Sequence, residues 1–229
     1  MSNINLVLSE LTKVKGNEIE LPYSKKTVEL KKPRFKFQEE IIQIFENIKS
    51  EQSAIVNYRK YINNYVSNLI GNDINILDRN FYILNLADKI SNESKYKGAI
   101  SSFKSDSFKK TFEYTEDDIN FKFELDLPKI KTDDKFIQYA SNKKDLKIVE
   151  YAFCEIFRFV HKLTLNDNEN LVYEVENSDI NSIYNLYVSL PVSTCSKLIE
   201  YTTNNFLNKI KENQNDVDIE QDPSIFVSI

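Results

Sequence analysis

The 229-residue sequence has no tryptophan, a single histidine, two cysteines and three glycines. Each scarcity excludes something. Gly16, Gly71 and Gly98 stand far apart, so the chain has no phosphate-cradling glycine loop and no G-x-S-x-G nucleophile elbow. One histidine, His161, and two distant cysteines cannot complete a zinc or non-haem iron centre. A histidine-dependent triad would have to use His161, which lies beside the apolar Phe157 and Val160 and reads as a helix-end residue. Cys154 and Cys195 are too few for a disulfide framework; as buried thiols they suit a reducing compartment. The start carries no basic-then-apolar leader. The most apolar stretch, Ile148 to Val160, is broken by Glu150, Glu155 and Arg158, so it reads as a buried helix and not as a membrane span.

What is present indicates a packed core. Fifteen Phe and 13 Tyr within 41% hydrophobic residues are too many for a disordered chain. The length suits one large domain or two small ones, at roughly 150 residues each. A net charge of -5 repels phosphate backbones and anionic lipid, so neither nucleic acid nor membrane is an expected partner.

The hydropathy pattern predicts an α+β fold, mainly helical, with short antiparallel hairpins near the N-terminus, in the middle and before the C-terminal helices. Alternation in Glu18–Leu21 and Thr27–Leu30 flanks the turn-forming Pro22–Lys26. Helical stripes follow through Phe37, Ile41, Ile44 and Ile48, then Ile55 to Leu69 with Gly71 as the left-handed stop. Asp78 reads as the N-cap of a third helix, apolar nearly all round. Residues 91–107 are polar and read as a linker or loop. A second hairpin is expected around Thr115–Asp118, joining Phe112–Tyr114 to Phe121–Leu127, and then one long helix from about Asp145 to Leu163. A third hairpin, Thr164–Asn166 with Leu171–Val175, precedes two short helices, the second capped by Ser193. The organisation expected is 1–91, a linker and strand at 92–120, a second α+β region at 121–211 and an acidic tail at 212–229, or one compact domain overall.

No catalytic, cofactor-binding or metal-ligating residue is assigned. The adjacent acids Glu39–Glu40, Asp117–Asp118 and Asp133–Asp134 diverge on a regular element. Glu29-Leu30-Lys31 has the strand triplet of many metal-dependent nucleases, and Glu18 or Glu20 could supply a second acid; a small carboxylate-based enzyme is therefore the alternative reading. Two features point to binding. Lys25, Lys26, Lys31, Lys32, Arg34 and Lys36 crowd the first hairpin, either as a solvated strand edge or as a positive patch for an acidic partner. Ile225, Phe226, Val227 and Ile229 follow the acidic tail, and either pack on the chain's own body or add a strand to a partner.

The order of segments carries a resemblance. Leu21-Pro22-Tyr23-Ser24-Lys25-Lys26-Thr27-Val28-Glu29-Leu30-Lys31-Lys32-Pro33-Arg34-Phe35, followed by Phe37-Gln38-Glu39-Glu40-Ile41, resembles the opening of the baseplate hub protein family of T-even-like tailed phages. Leu77 to Leu86, with Asp78 and Tyr82, is similar to that family's third-helix segment, and Asp218 to Phe226 to its closing short strand. The chain departs from the family at Ser24-Lys25, where Gly-Lys is usual, and at Ala87-Asp88. Nothing between Ser91 and Asn120 is matched. The resemblance implies a non-enzymatic hub component or assembly chaperone. Its partners would be other baseplate hub and tail proteins, in an oligomeric hub complex, in the infected host's cytoplasm or the virion. A generic intracellular adaptor is the remaining alternative.

Overall fold

The computed structural model describes residues 17–31, 33–46, 51–91, 95–104, 107–143, 145–168 and 171–226. Lys32, Ile48, Gly16, Val227 and Ile229 lie outside the described residues. The fold is α+β and mainly helical, with two small antiparallel sheets.

The first sheet is a hairpin, β1 (Asn17–Glu20) on β2 (Thr27–Leu30), with Ile19 opposite Val28 and Glu18 opposite Glu29. Three helices follow: α1 (Phe35–Glu46), α2 (Glu51–Ile70) and α3 (Ile76–Ser91). Gly71 ends α2 at φ +90°, with its N–H on the Ser67 carbonyl, as a side-chain-free residue allows. Helix α3 is buried on most sides, with Leu77, Tyr82, Ile83, Leu84 and Leu86 all at 0% exposure, as its all-round apolar pattern predicts.

Asp78 is not its N-cap. Asn75 takes that place, its Oδ1 accepting the Asp78 N–H at 2.9 Å. The freed Asp78 carboxylate accepts the backbone N–H groups of Tyr23 and Ser24, each at 2.9 Å, and so pins the hairpin turn to the first turn of α3. Tyr82 continues the seam by donating to the Glu29 carbonyl at 3.1 Å. Asp78→Ala is expected to cost about 2–3 kcal/mol, because two N–H groups lose a charged acceptor. Urea denaturation measures the loss; a change below about 0.5 kcal/mol would remove Asp78 from its anchoring role.

Residues 91–107 contain a helix, α4 (Lys97–Ser102), in place of a continuous loop. Its Ala99 and the preceding Tyr96 are buried against the first core, which supplies the burial that a polar stretch does not announce.

The second sheet has the order β3–β4–β5–β6, from β3 (Lys110–Glu116), β4 (Ile119–Leu125), β5 (Val160–Leu165) and β6 (Val172–Glu174). The middle and third hairpins are thus one sheet. Their turns use Asp117–Asp118 and Asn166–Asp167, all four at positive φ, a conformation that Asn and Asp tolerate better than other side chains. Between β4 and β5 lie α5 (Ile130–Ser141) and α6 (Ile148–Phe157). The expected helix to Leu163 therefore stops at Phe157. Val160 to Leu165 become a strand because β4 offers them a free edge, with Leu163 paired to Phe123. His161 accordingly sits on a strand and not at a helix end, at the bulge where the register shifts beside Glu124 and Leu125.

The chain closes with α7 (Ile180–Ser189), α8 (Val192–Thr202), a π-helical turn (Thr203–Leu207), α9 (Asn208–Asn213) and a 3-10 turn (Pro223–Ile225). Ser193 does not cap α8; Pro191 holds that position, and the Ser193 hydroxyl bonds the Glu116 carboxylate of β3 instead.

Two apolar cores result. The first joins the hairpin, α1 to α4, Ile219, Ile225 and Phe226. The second fills the space between the sheet and α5 to α9, around Phe123, Phe153, Phe157, Phe159 and Phe206. The sheet's outer face is polar and carries the cross-strand pairs Glu113–Lys122 at 3.3 Å and Glu124–Lys162 at 3.4 Å.

Candidate functional site

A dense charge cluster lies in the interior. Arg59 and Asn63 lie four residues apart on α2, Arg79 and Asn80 on the first turn of α3, and Asp133 on the first turn of α5. Glu155 and Arg158 come from the end of α6, and Glu220 from the C-terminal segment. Asp133 Oδ1 accepts from Arg59 at 3.0 Å and from Arg158 at 2.9 Å, and Oδ2 from Arg79 at 3.2 Å and Asn63 at 3.0 Å. Glu220 pairs with Arg79 and, at 2.9 Å, with Arg158; Glu155 pairs with Arg59 and, at 3.2 Å, with Arg158. Asn80 Oδ1 accepts the Arg79 Nε and Nη2 protons at 2.9 and 2.8 Å.

Three guanidinium groups face three carboxylates, so the formal charges cancel. The side chains of Arg79 and Asp133 are 0% exposed, and those of Glu155 and Glu220 15% and 13%. Burial alone would push the Asp133 carboxyl up, but Arg59, Arg158 and Arg79 overcome it and hold the carboxyl below its ordinary value. Burial likewise opposes Glu220, yet Arg158, Arg79 and Arg59 hold it well below the usual carboxylate range. Asp134, on the margin, moves the other way: burial raises it more than its bond from Asn63 lowers it. With their oxygens taken up by guanidinium groups, the central acids act as structural clamps tying α2, α3, α5, α6 and the C-terminal segment together.

Sequence spacing could not find this cluster, though one signal was present. Only four of the 30 basic residues are arginine, and three of those four, Arg59, Arg79 and Arg158, are buried. A lysine-rich chain that keeps arginine inside apolar helical runs marks buried ion pairs, where the planar fork binds two acceptors.

The sequence-derived binding residues separate into two sets. Lys31 and Arg34 are exposed and flank Phe35, which is 78% exposed at the start of α1; Lys36 lies beside it. Lys31 pairs with Glu29 at 3.3 Å and Lys36 with Glu40 at 3.4 Å, while Arg34 has no ion pair among the described residues. Lys25 and Lys26 occupy the opposite end of β2, about 16 Å away along the strand at ~3.3 Å per residue. Ile225 and Phe226 are 5% and 0% exposed. The Phe226 ring meets Phe37 edge-on at 4.9 Å, and its carbonyl accepts from Gln38 Nε2 at 2.7 Å. These two residues pack on the chain's own body.

Glu18 and Glu29 are cross-strand partners, with Lys31 beside Glu29. Among the described residues no group of three or more His, Cys, Asp or Glu could hold a metal ion. Burial raises the Cys154 thiol to about 12, and raises Cys195 as well, which lowers the thiolate fraction of both at neutral pH. No described helix is long and apolar enough to cross a membrane. No family model, curated protein or solved structure matches this chain.

Proposed function

We propose that the protein works without catalysis, by docking other proteins, as a component or assembly chaperone of a contractile-tail baseplate hub. One observation carries the reading. The three segments that resemble the hub family, Leu21–Ile41, Leu77–Leu86 and Asp218–Phe226, converge in the first core. Asp78 of the second holds the turn of the first, and Phe226 of the third meets Phe37 of the first edge-on. The three segments that carry the resemblance thus form one packed unit, which supports reading them together.

On that unit the exposed corner of Lys31, Arg34 and Phe35 has the composition of a docking site: an aromatic anchor among cations. An acidic partner surface would be steered by the charges and held by the ring. The test is affinity measurement between the purified protein and the hub and tail subunits encoded beside it. Binding is expected with at least one of them, and Phe35→Ala is expected to weaken it by about 30-fold, as for an aromatic anchor. Absence of binding to every one of those subunits would overturn the proposal. Mass spectrometry of purified virions against infected-cell lysate then separates component from chaperone.

A further inference from the structure

The second sheet has a proximal and a distal end. Proximally, the chain leaves β4 at Leu125 and reaches the first core at once: Ile76 N–H donates to the Pro128 carbonyl at 3.0 Å and Ile130 N–H to Ile74 at 2.9 Å. The distal end lies about 20 Å away along β4, at ~3.4 Å per residue, and carries the Asp117–Asp118 and Asn166–Asp167 turns. There Ile119 is 38% and Leu171 48% exposed. Glu116 accepts from Ser193 and, at 2.8 Å, from Thr194, which brings Val192, 83% exposed, to the same end. Asp117 and Asp118 are exposed and have no ion pair among the described residues; Asp167, 67% exposed, reaches Lys122 only at 3.8 Å. The distal end is therefore apolar with an acidic rim.

This surface is complementary to the corner around Phe35, which is aromatic with a basic rim. We propose that the two dock on each other between copies of this chain, the Lys31–Arg34–Phe35 corner of one protomer seated on the Asp117–Asp118–Ile119–Val192 end of the next. Opposite charge and matched apolar centres fit a second copy to both surfaces, so a docked copy and a hub subunit would compete for the basic corner. Because the two patches differ, the contact is head-to-tail, and each added copy presents a fresh surface until a ring closes. The inference shares its basic corner with the hub proposal, and rests on that proposal only in treating the corner as a docking surface.

Sedimentation velocity over a range of protein concentrations tests it. Species larger than the monomer are expected at low ionic strength and are expected to shrink as salt screens the rims. Two variants separate the surfaces: Lys31→Gln/Arg34→Gln/Phe35→Ala, and Asp117→Asn/Asp118→Asn/Val192→Ser. Asparagine keeps the positive-φ turn, and circular dichroism checks that both variants fold. Each alone is expected to self-associate about tenfold more weakly or less. An equimolar mixture is expected to form a dimer and nothing larger, since it holds one intact surface of each kind. A wild-type protein that stays monomeric, a variant that associates normally, or a mixture that stays monomeric would each overturn the inference. The acidic-end variant keeps the basic corner, so hub-subunit binding that survives in it separates the fate of this inference from that of the hub proposal.

Discussion

Asp133→Asn is expected to cost about 3–5 kcal/mol of folding stability, as loss of one member of a buried ion pair does. The carboxylate is 0% exposed and accepts from three arginines and Asn63. Without its charge, Arg59, Arg79 and Arg158 face only Glu155 and Glu220, leaving a net positive charge with little water to solvate it. Asparagine keeps the shape but offers one acceptor oxygen where the carboxylate has two, and its amide donors then point at guanidinium donors. The position on the first turn of α5 adds to the loss, since an anion there also stabilises the helix N-terminus. Asp134→Asn is the control: burial already raises that carboxyl, so neutralising it is expected to cost less than about 1 kcal/mol. Urea denaturation of the two variants side by side gives the comparison. Equal effects would show that the cluster has no special hold on Asp133.

The second large effect is on acid stability, through Glu220. Its folded-state carboxyl is held well below the ordinary value of about 4.3, and Asp133 is lowered too. A lowered folded value means that the unfolded chain takes up protons first as pH drops. The stabilisation is therefore complete above about pH 5, shrinks as pH falls through the unfolded values near 4, and continues to shrink toward the folded ones. Asp134 and Asp218 are raised by burial and oppose this trend, blunting the acid limb without reversing it. Glu220→Gln is expected to remove about 3 kcal/mol at pH 7 and visibly less at pH 3, flattening the pH profile of stability. It is also expected to loosen the C-terminal segment, whose Ile219 and Phe226 are seated in the first core. Proteolysis after Lys211 should then precede global unfolding. A variant that keeps the wild-type acid limb would show that Glu220 is not one of the titrating clamps.

The fold was legible where burial follows a local period. Helices α1, α2 and α3 are visible in the recurrence of Phe37, Ile41, Ile55, Ile62 and Leu84, and α2 stops at Gly71 as expected. It was illegible where an apolar run fits two periods. Phe157-Arg158-Phe159-Val160 continues a helical stripe, yet α6 ends there and β5 begins, because strand pairing with β4 satisfies backbone groups that the sequence cannot see. Helix α5 drew no expectation, because the polar Lys131, Asp133 and Asp134 hide its apolar stripe. Of these, Asp133 is buried as part of the ion cluster.

The sequence by itself determined the α+β class, the hairpins with their turn residues, the negative net charge and the basic crowding around Phe35, all set by composition or neighbours a few residues apart. Only the tertiary structure decided that Ile219, Glu220, Ile225 and Phe226 of the acidic tail are seated inside the protein. Arg79 and Glu220 are 141 residues apart along the chain, and no local spacing relates them. Their pairing exists because packing the two cores brings both out of water, where a charge must find its opposite or the fold fails.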